Sequence, residues 1–129
     1  MLDPNNYYTP RDGVFEELEH GTVTTSELLQ AHLQTSKIVK AFSHLNYLAI
    51  NADGAPAGWP NRRALAYASD SLETAEFVAG LYEELGFDAV ASSPLSESWP
   101  LEHPRPAYPI FPVPKEQLFA YIATARRAA

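Results

Sequence analysis

An α/β fold is what this sequence predicts: a short, mostly parallel sheet, flanking helices and a proline-rich C-terminal arm. Three observations carry that expectation. Thr24 with Glu27, and Asp70 with Glu73, have the spacing of capping boxes and stand ahead of apolar runs with helical period. Short runs rich in β-branched or small apolar residues, 38–42, 64–69 and 87–92, lie around those helices and read as strands. From Pro94 to Pro114 prolines recur too often for a central strand or a helix, because each removes a backbone donor. The order helix, strand, strand, helix, strand belongs to a layered α/β architecture, with parallel pairing across the second helix.

The elements follow in order. Residues 1–13 hold Asp3-Pro4-Asn5-Asn6 and Thr9-Pro10-Arg11-Asp12-Gly13, both dense in turn formers, and read as loop. Thr24 opens a helix over 25–33, whose Leu28, Leu29 and Leu33 should face a sheet. After the first strand, 45–61 gathers Gly54, Pro56, Gly58 and Pro60 into a long irregular loop of the kind that is usually functional or mobile. The second helix is the firmest element. Leu72, Ala75, Val78, Leu81, Tyr82 and Leu85 recur at helical spacing, and Gly86 stops the run as a C-terminal cap. The arm over 94–114 is expected to lie extended across the surface, anchored by Trp99, Tyr108 and Phe111. Pro114 then suits the entry to a last helix over 115–127, with Leu118, Phe119, Ile122 and Ala125 on one face.

A chain of 129 residues builds one domain with a real core, here 1–129, and the 46% of hydrophobic residues supplies the apolar area. Cysteine is absent, so disulfides, thiolate chemistry and Cys-based zinc sites are excluded. A net charge of −7 with scattered Lys and Arg argues against nucleic acid. No basic segment leads into an apolar run and no window reaches a membrane span, so no membrane partner and a cytoplasmic address are expected.

Few residues suggest acid–base, metal or nucleophilic chemistry. His20, His32, His44 and His103 are far apart with no i, i+4 pair, so no metal site is expected, and no GxSxG appears for a serine hydrolase. Glu83-Glu84 reads as a solvated helix face. Arg62-Arg63, beside the Pro-rich loop, offers a phosphate clamp but reads more simply as solvated surface. Lys40 is either a polar contact of the site or a strand-edge residue.

Four segments, taken together, resemble a known family: Asp3-Pro4-Asn5-Asn6-Tyr7-Tyr8 with Arg11-Asp12-Gly13, Val39-Lys40-Ala41-Phe42-Ser43, Arg63-Ala64-Leu65 running to Ser69-Asp70, and Glu84-Leu85-Gly86-Phe87-Asp88 running on to Trp99. Their order and spacing are similar to those of the NADP-dependent oxidoreductases related to the deazaflavin (coenzyme F-420)-dependent NADP reductases. The resemblance implies a partial Rossmann-like, dinucleotide-binding layer corresponding to the C-terminal half of the family fold. The family carries its nucleotide on a GxGxxG turn, and no trio among Gly13, Gly21, Gly54, Gly58, Gly80 and Gly86 has that spacing. A weak or incomplete NADP site is therefore expected, with a deazaflavin or flavin as the second redox group.

The resemblance also implies cofactor-binding roles for Asn5, Asn6, Phe42, Ser43 and His44, in loops after strands, with Ser43 standing where the family most often has Asn. Against this, Asn5 and Asn6 equally serve a turn, and His44 a strand end. No catalytic side chain is singled out, since hydride transfer asks mainly for placement of two rings. Two functions follow: an NADP-linked oxidoreductase of the deazaflavin-dependent NADP reductase type, or its C-terminal half, and alternatively a non-catalytic remnant acting as an oligomerisation or partner-binding module. With only three strands expected, an open sheet edge suggests a homodimer.

Overall fold

The computed structural model describes residues 1–109 and 111–127; Ile110 of the 94–114 segment lies outside them, as do Ala128 and Ala129. Four strands form one open sheet in the order β1-β2-β3-β4: β1 (Leu2–Asp3), β2 (Val39–Lys40), β3 (Ala64–Ser69) and β4 (Asp88–Ala91). The β1/β2 and β3/β4 pairs are parallel and the β2/β3 pair is antiparallel. This is the short, mostly parallel, helix-flanked layer that the sequence predicts. Its β3 and β4 are joined through helix α5 (Leu72–Leu85) as a βαβ unit of the Rossmann-like kind.

Alternation along β3 sends its side chains to opposite faces. Ala64 and Ala66 join Val90, Leu101, Ala107, Val113 and Leu118 in one cluster, the last of these from helix α6 (Lys115–Thr124). Leu65 instead meets Val39, Ala41, Val78, Tyr82 and Phe87 beneath α5. Small alanines on the first face let the irregular 94–114 segment approach the sheet closely.

Helix α3 (Thr25–His32) carries the expected capping box: the Thr24 hydroxyl accepts from Glu27 N at 3.2 Å, and the Glu27 carboxylate accepts from Thr24 N at 2.7 Å. Gly86 ends α5 in the left-handed conformation, φ 93°. Three shorter helices, α1 (Thr9–Asp12), α2 (Glu16–Glu19) and α4 (Ala49–Ala52), occupy stretches that the sequence pattern reads as loop or leaves unassigned.

Several expectations are corrected. Residues 1–13 do not form loop throughout, because Met1 and Asp3 carbonyls accept from Val39 and Ala41 amides and make β1 a fourth strand. Asp70 does not cap α5; Ser71 does, accepting from Thr74 N, while Asp70 accepts from Leu95 N at 2.8 Å. The first strand stops at Lys40, since Phe42 takes φ 59° and turns the chain away.

The 94–114 segment is coiled instead of extended. It holds two 3-10 turns, Leu95–Glu97 and Trp99–Leu101, and buries Leu95, Leu101, Ala107 and Val113. Its prolines exclude regular ladders but not short turns, and burial of those apolar side chains draws it onto the sheet. Phe111, expected as an anchor, is 57% exposed.

Candidate functional site

Strands β1 and β2 run in the same direction, so their carboxyl ends open on the same side of the sheet. Asn5 and Asn6 follow β1; Phe42, Ser43 and His44 follow β2. The fold therefore brings together the two loops that the sequence singles out, 37 residues apart, through a hydrogen bond from Asn6 Nδ2 to Ser43 O at 2.7 Å. That bond fixes the orientation of the Asn6 amide and aims its Oδ1 away from the Ser43 carbonyl. Asn6 Oδ1 and Ser43 Oγ are both buried without a hydrogen-bond partner among the described residues. Two orphaned polar atoms on neighbouring loops are costly, by about 1–3 kcal/mol each, and such groups call for an explanation. Asn5, Asn6 and Thr25 line an open, shallow recess of about 410 Å3 together with Tyr7, Arg11, Asp12 and Phe15.

Beneath the loops lies Lys40, which is fully buried in β2 between β1 and β3, so it is not an edge residue. Its ammonium donates to Asn5 O at 3.3 Å and to Thr25 Oγ1 at 3.2 Å. Thr25 passes the chain of bonds on, donating from Oγ1 (3.0 Å) and N (2.8 Å) to Glu102 Oε1. Burial pushes the Lys40 pKa down, and the Glu102 and Asp3 carboxylates oppose that at longer range. Asp3, itself buried, accepts from Ser26 Oγ at 2.7 Å and from Asn5 N at 3.1 Å. Lys40 and Asp3 thus hold the Asn5-Asn6 loop from below. Thr25 and Glu102 escape a reading of the sequence, because a helix N-terminal threonine and a glutamate in a Pro-rich segment carry no local signal of a shared network.

His44 and Phe42 take structural positions. Where β2 leaves the sheet, Ala66 of β3 keeps its register with Val90 of β4 but has no strand partner toward β2, and side chains replace it there. His44 Nε2 accepts from Ala66 N at 2.9 Å, and Tyr82 OH donates to Ala66 O at 2.9 Å. With Nε2 an acceptor, the proton sits on Nδ1, which faces Pro109 O at 3.3 Å. Burial, with a smaller contribution from the Arg63 guanidinium, lowers the His44 pKa from 6.5 to about 4. The Phe42 amide donates to Tyr82 OH at 3.0 Å, and the two rings pack edge to face at 4.9 Å.

Arg62 and Arg63 are not a solvated surface pair. Both side chains are 4% exposed. Arg62 donates to Glu83 Oε2 (2.9 Å), Asp88 Oδ1 (3.1 Å) and Gly86 O (2.9 Å), fastening the turn between α5 and β4; Arg63 pairs with Asp53 at 2.6 Å. Each gains carboxylate partners contributed by segments distant in sequence, which local composition does not reveal.

A second, larger cleft of about 610 Å3 adjoins the first and shares Tyr7 and Arg11 with it. Tyr8 and His103 form its aromatic wall, their rings 5.0 Å apart, and the Tyr8 and Tyr108 hydroxyls are hydrogen-bonded to each other. Among the described residues no His, Asp and Glu side chains converge as a metal-ligand group, and no helix is long and apolar enough to cross a membrane.

No protein-family model and no curated protein matches the chain. Among solved structures it is similar to the hypothetical protein SMa0349 of Sinorhizobium meliloti, with TM-score 0.70 and 25% identity over 88% of this chain and 54% of that one. The likeness is one of fold. The chain spans about half the length of SMa0349. A proposed F-420-dependent NADP reductase of Arthrobacter sp. FB24 aligns with TM-score 0.49 and 21% identity over 59% of this chain and 35% of that one.

Proposed function

We propose that the chain forms the hydride-transfer side of an NADP-linked oxidoreductase of the deazaflavin-dependent NADP reductase type, or the C-terminal half of one, acting between a nicotinamide and a flavin-like partner. The observation that carries this reading is the orphaned pair, Asn6 Oδ1 and Ser43 Oγ, at the carboxyl ends of two neighbouring parallel strands. In open α/β sheets, ligands bind in the crevice outside those ends. One orphan is an acceptor and the other a hydroxyl able to donate, which complements a primary carboxamide such as that of nicotinamide. The order of the four sequence segments supports the same reading.

When bound, the redox cofactor supplies the hydride chemistry. The chain's own residues hold and orient: Asn6 accepts, Ser43 donates, and Lys40 with Asp3 fixes the backbone that carries Asn6. No side chain is required to take a proton. The residues present fit the ring end of the cofactor, whereas no glycine-rich turn is present to take a pyrophosphate.

Titration of reduced nicotinamide mononucleotide and of NADPH, followed by NMR of the backbone amides, tests the reading. Saturable shifts at Asn6 and Ser43, weakened about tenfold in Ser43→Ala, are expected. Shifts scattered over the surface and unchanged by that substitution would overturn it. For the chain alone NADPH should bind more weakly than about 1 mM, near −4 kcal/mol, and micromolar affinity would contradict that.

A further inference from the structure

We infer that Thr25 and Glu102 are positioning residues for Asn6, acting through the buried Lys40 ammonium. The inference rests on the reading of Asn6 as the contact to the carboxamide. Chemistry fixes the direction of every bond in the chain. The ammonium only donates, so Thr25 Oγ1 must accept from it (3.2 Å), and the one proton of that hydroxyl is left for Glu102 Oε1 (3.0 Å). A second ammonium proton goes to Asn5 O at 3.3 Å. That carbonyl belongs to the planar peptide group whose nitrogen is Asn6 N, so the ammonium sets the plane from which Asn6 departs. Asn6 is held again at its far end, where Nδ2 donates to Ser43 O at 2.7 Å. The orphaned Oδ1 keeps one direction while both ends are held.

Lys40 makes no direct ion pair among the described residues. The Glu102 carboxylate reaches it through the Thr25 hydroxyl, and an ionised acceptor at the end of such a chain strengthens each bond in it. Loss of either the hydroxyl or the carboxylate leaves a fully buried ammonium short of an acceptor, and it then pulls harder on Asn5 O. Glu102 also accepts from Thr25 N at 2.8 Å, one of the free amides in the first turn of α3, where a carboxylate suits the helix end. A residue serving that end alone would stabilise α3 and leave Asn6 undisturbed. Thr25→Val separates the two roles, since it keeps the amide and removes the hydroxyl. Glu102 itself lines the cleft of about 610 Å3 and not the recess that Asn5, Asn6 and Thr25 line, so it touches the recess only by way of Thr25.

The test follows the Asn6 side-chain amide by NMR in the ligand-free chain and then titrates reduced nicotinamide mononucleotide. Thr25→Val and Glu102→Ala should each move the Asn6 Nδ2 signals and weaken binding about tenfold. Thr25→Ser, which restores the hydroxyl, should return both to the wild-type values. The double variant should bind no more weakly than Thr25→Val alone, because both substitutions cut one chain; additive losses would overturn the inference. A fall in Tm with the Asn6 signals and the affinity unchanged would also overturn it, and would leave Glu102 a partner of the helix end only. Glu102→Gln, which keeps an acceptor for Thr25, supplies the same measurement where Glu102→Ala does not fold, with a smaller displacement in the same direction expected and none counting against the inference. Where the wild-type chain fails to bind the mononucleotide, the nicotinamide reading falls, and the Asn6 signals of the ligand-free variants still decide whether Glu102 positions this side chain.

Discussion

Ser43 and His44 are adjacent and both buried, yet their side chains face opposite energetic situations. Ser43 Oγ has lost water and gained no partner, so Ser43→Ala should leave Tm unchanged or raise it while weakening nicotinamide binding, a divergence that marks a residue kept for a ligand. Paired thermal melts and titrations check this; a clear fall in Tm would make Ser43 structural. His44 has both ring nitrogens in use, and His44→Ala strands the Ala66 amide and opens a cavity, a loss of about 2–4 kcal/mol in denaturant unfolding. Its pKa is depressed in the folded chain, to about 4. Between pH 6.5 and 4 the unfolded chain therefore binds a proton that the folded chain refuses. Stability from this group is full above the unfolded value and falls as pH drops toward the folded one, by about 3 kcal/mol at roughly 1.4 kcal/mol per unit. The difference between wild type and His44→Ala should shrink over that window, and a constant difference would contradict the assignment.

Among the elements, α5 is the most legible in sequence, and two glycines, Gly80 within it and Gly86 at its C-cap, respond oppositely to an added methyl. Gly86 has φ 93°, and a Cβ there would lie 2.6 Å from Ala55 N and 2.8 Å from Gly54 Cα, so Gly86→Ala should cost about 2–3 kcal/mol. Gly80 is mid-helix with open space where a methyl would go, nothing lying within 4 Å of it, and Gly80→Ala should stabilise by about 0.5–1 kcal/mol. Opposite signs in the two melts are the expected result. The capping box at Thr24, the strand at 64–69 and the Gly86 stop are readable because each is encoded within a few consecutive residues. The strand β1 is not, because two residues have no period and are made a strand by β2. Arg62, Arg63 and Lys40 mislead or stay open in sequence for a related reason: their burial is decided by Glu83, Asp88, Asp53 and Asn5, none of them a near neighbour in sequence. The loops carrying Asn6 and Ser43 stand out through family resemblance, whereas their orphaned oxygens can be recognised only in three dimensions.

For the whole molecule, the proposal is a homodimer. The sheet ends on one side in the two-residue β1 and on the other in β4, and Leu72, Phe77 and Phe119 are exposed on α5 and α6. Light scattering over a dilution series should show a dimer that dissociates at low concentration; a monomer throughout would refute it. The 94–114 segment is not a free strap for such a dimer. Leu101, Ala107 and Val113 belong to the core beneath α6, and deleting the segment should abolish cooperative unfolding altogether.

Ala66 has both of its backbone groups satisfied by side chains, the amide by His44 and the carbonyl by Tyr82, and the Phe42 amide likewise depends on the Tyr82 hydroxyl. Exchange with solvent deuterium at these two amides therefore senses two different openings. Phe42 exchanges when α5 lifts from the sheet, since Tyr82 travels with the helix. Ala66 exchanges when the imidazole swings away or takes up a proton, so its protection should collapse in acid while that of Phe42 persists. A single backbone position would then record the protonation of a buried ring that no solvent probe can reach.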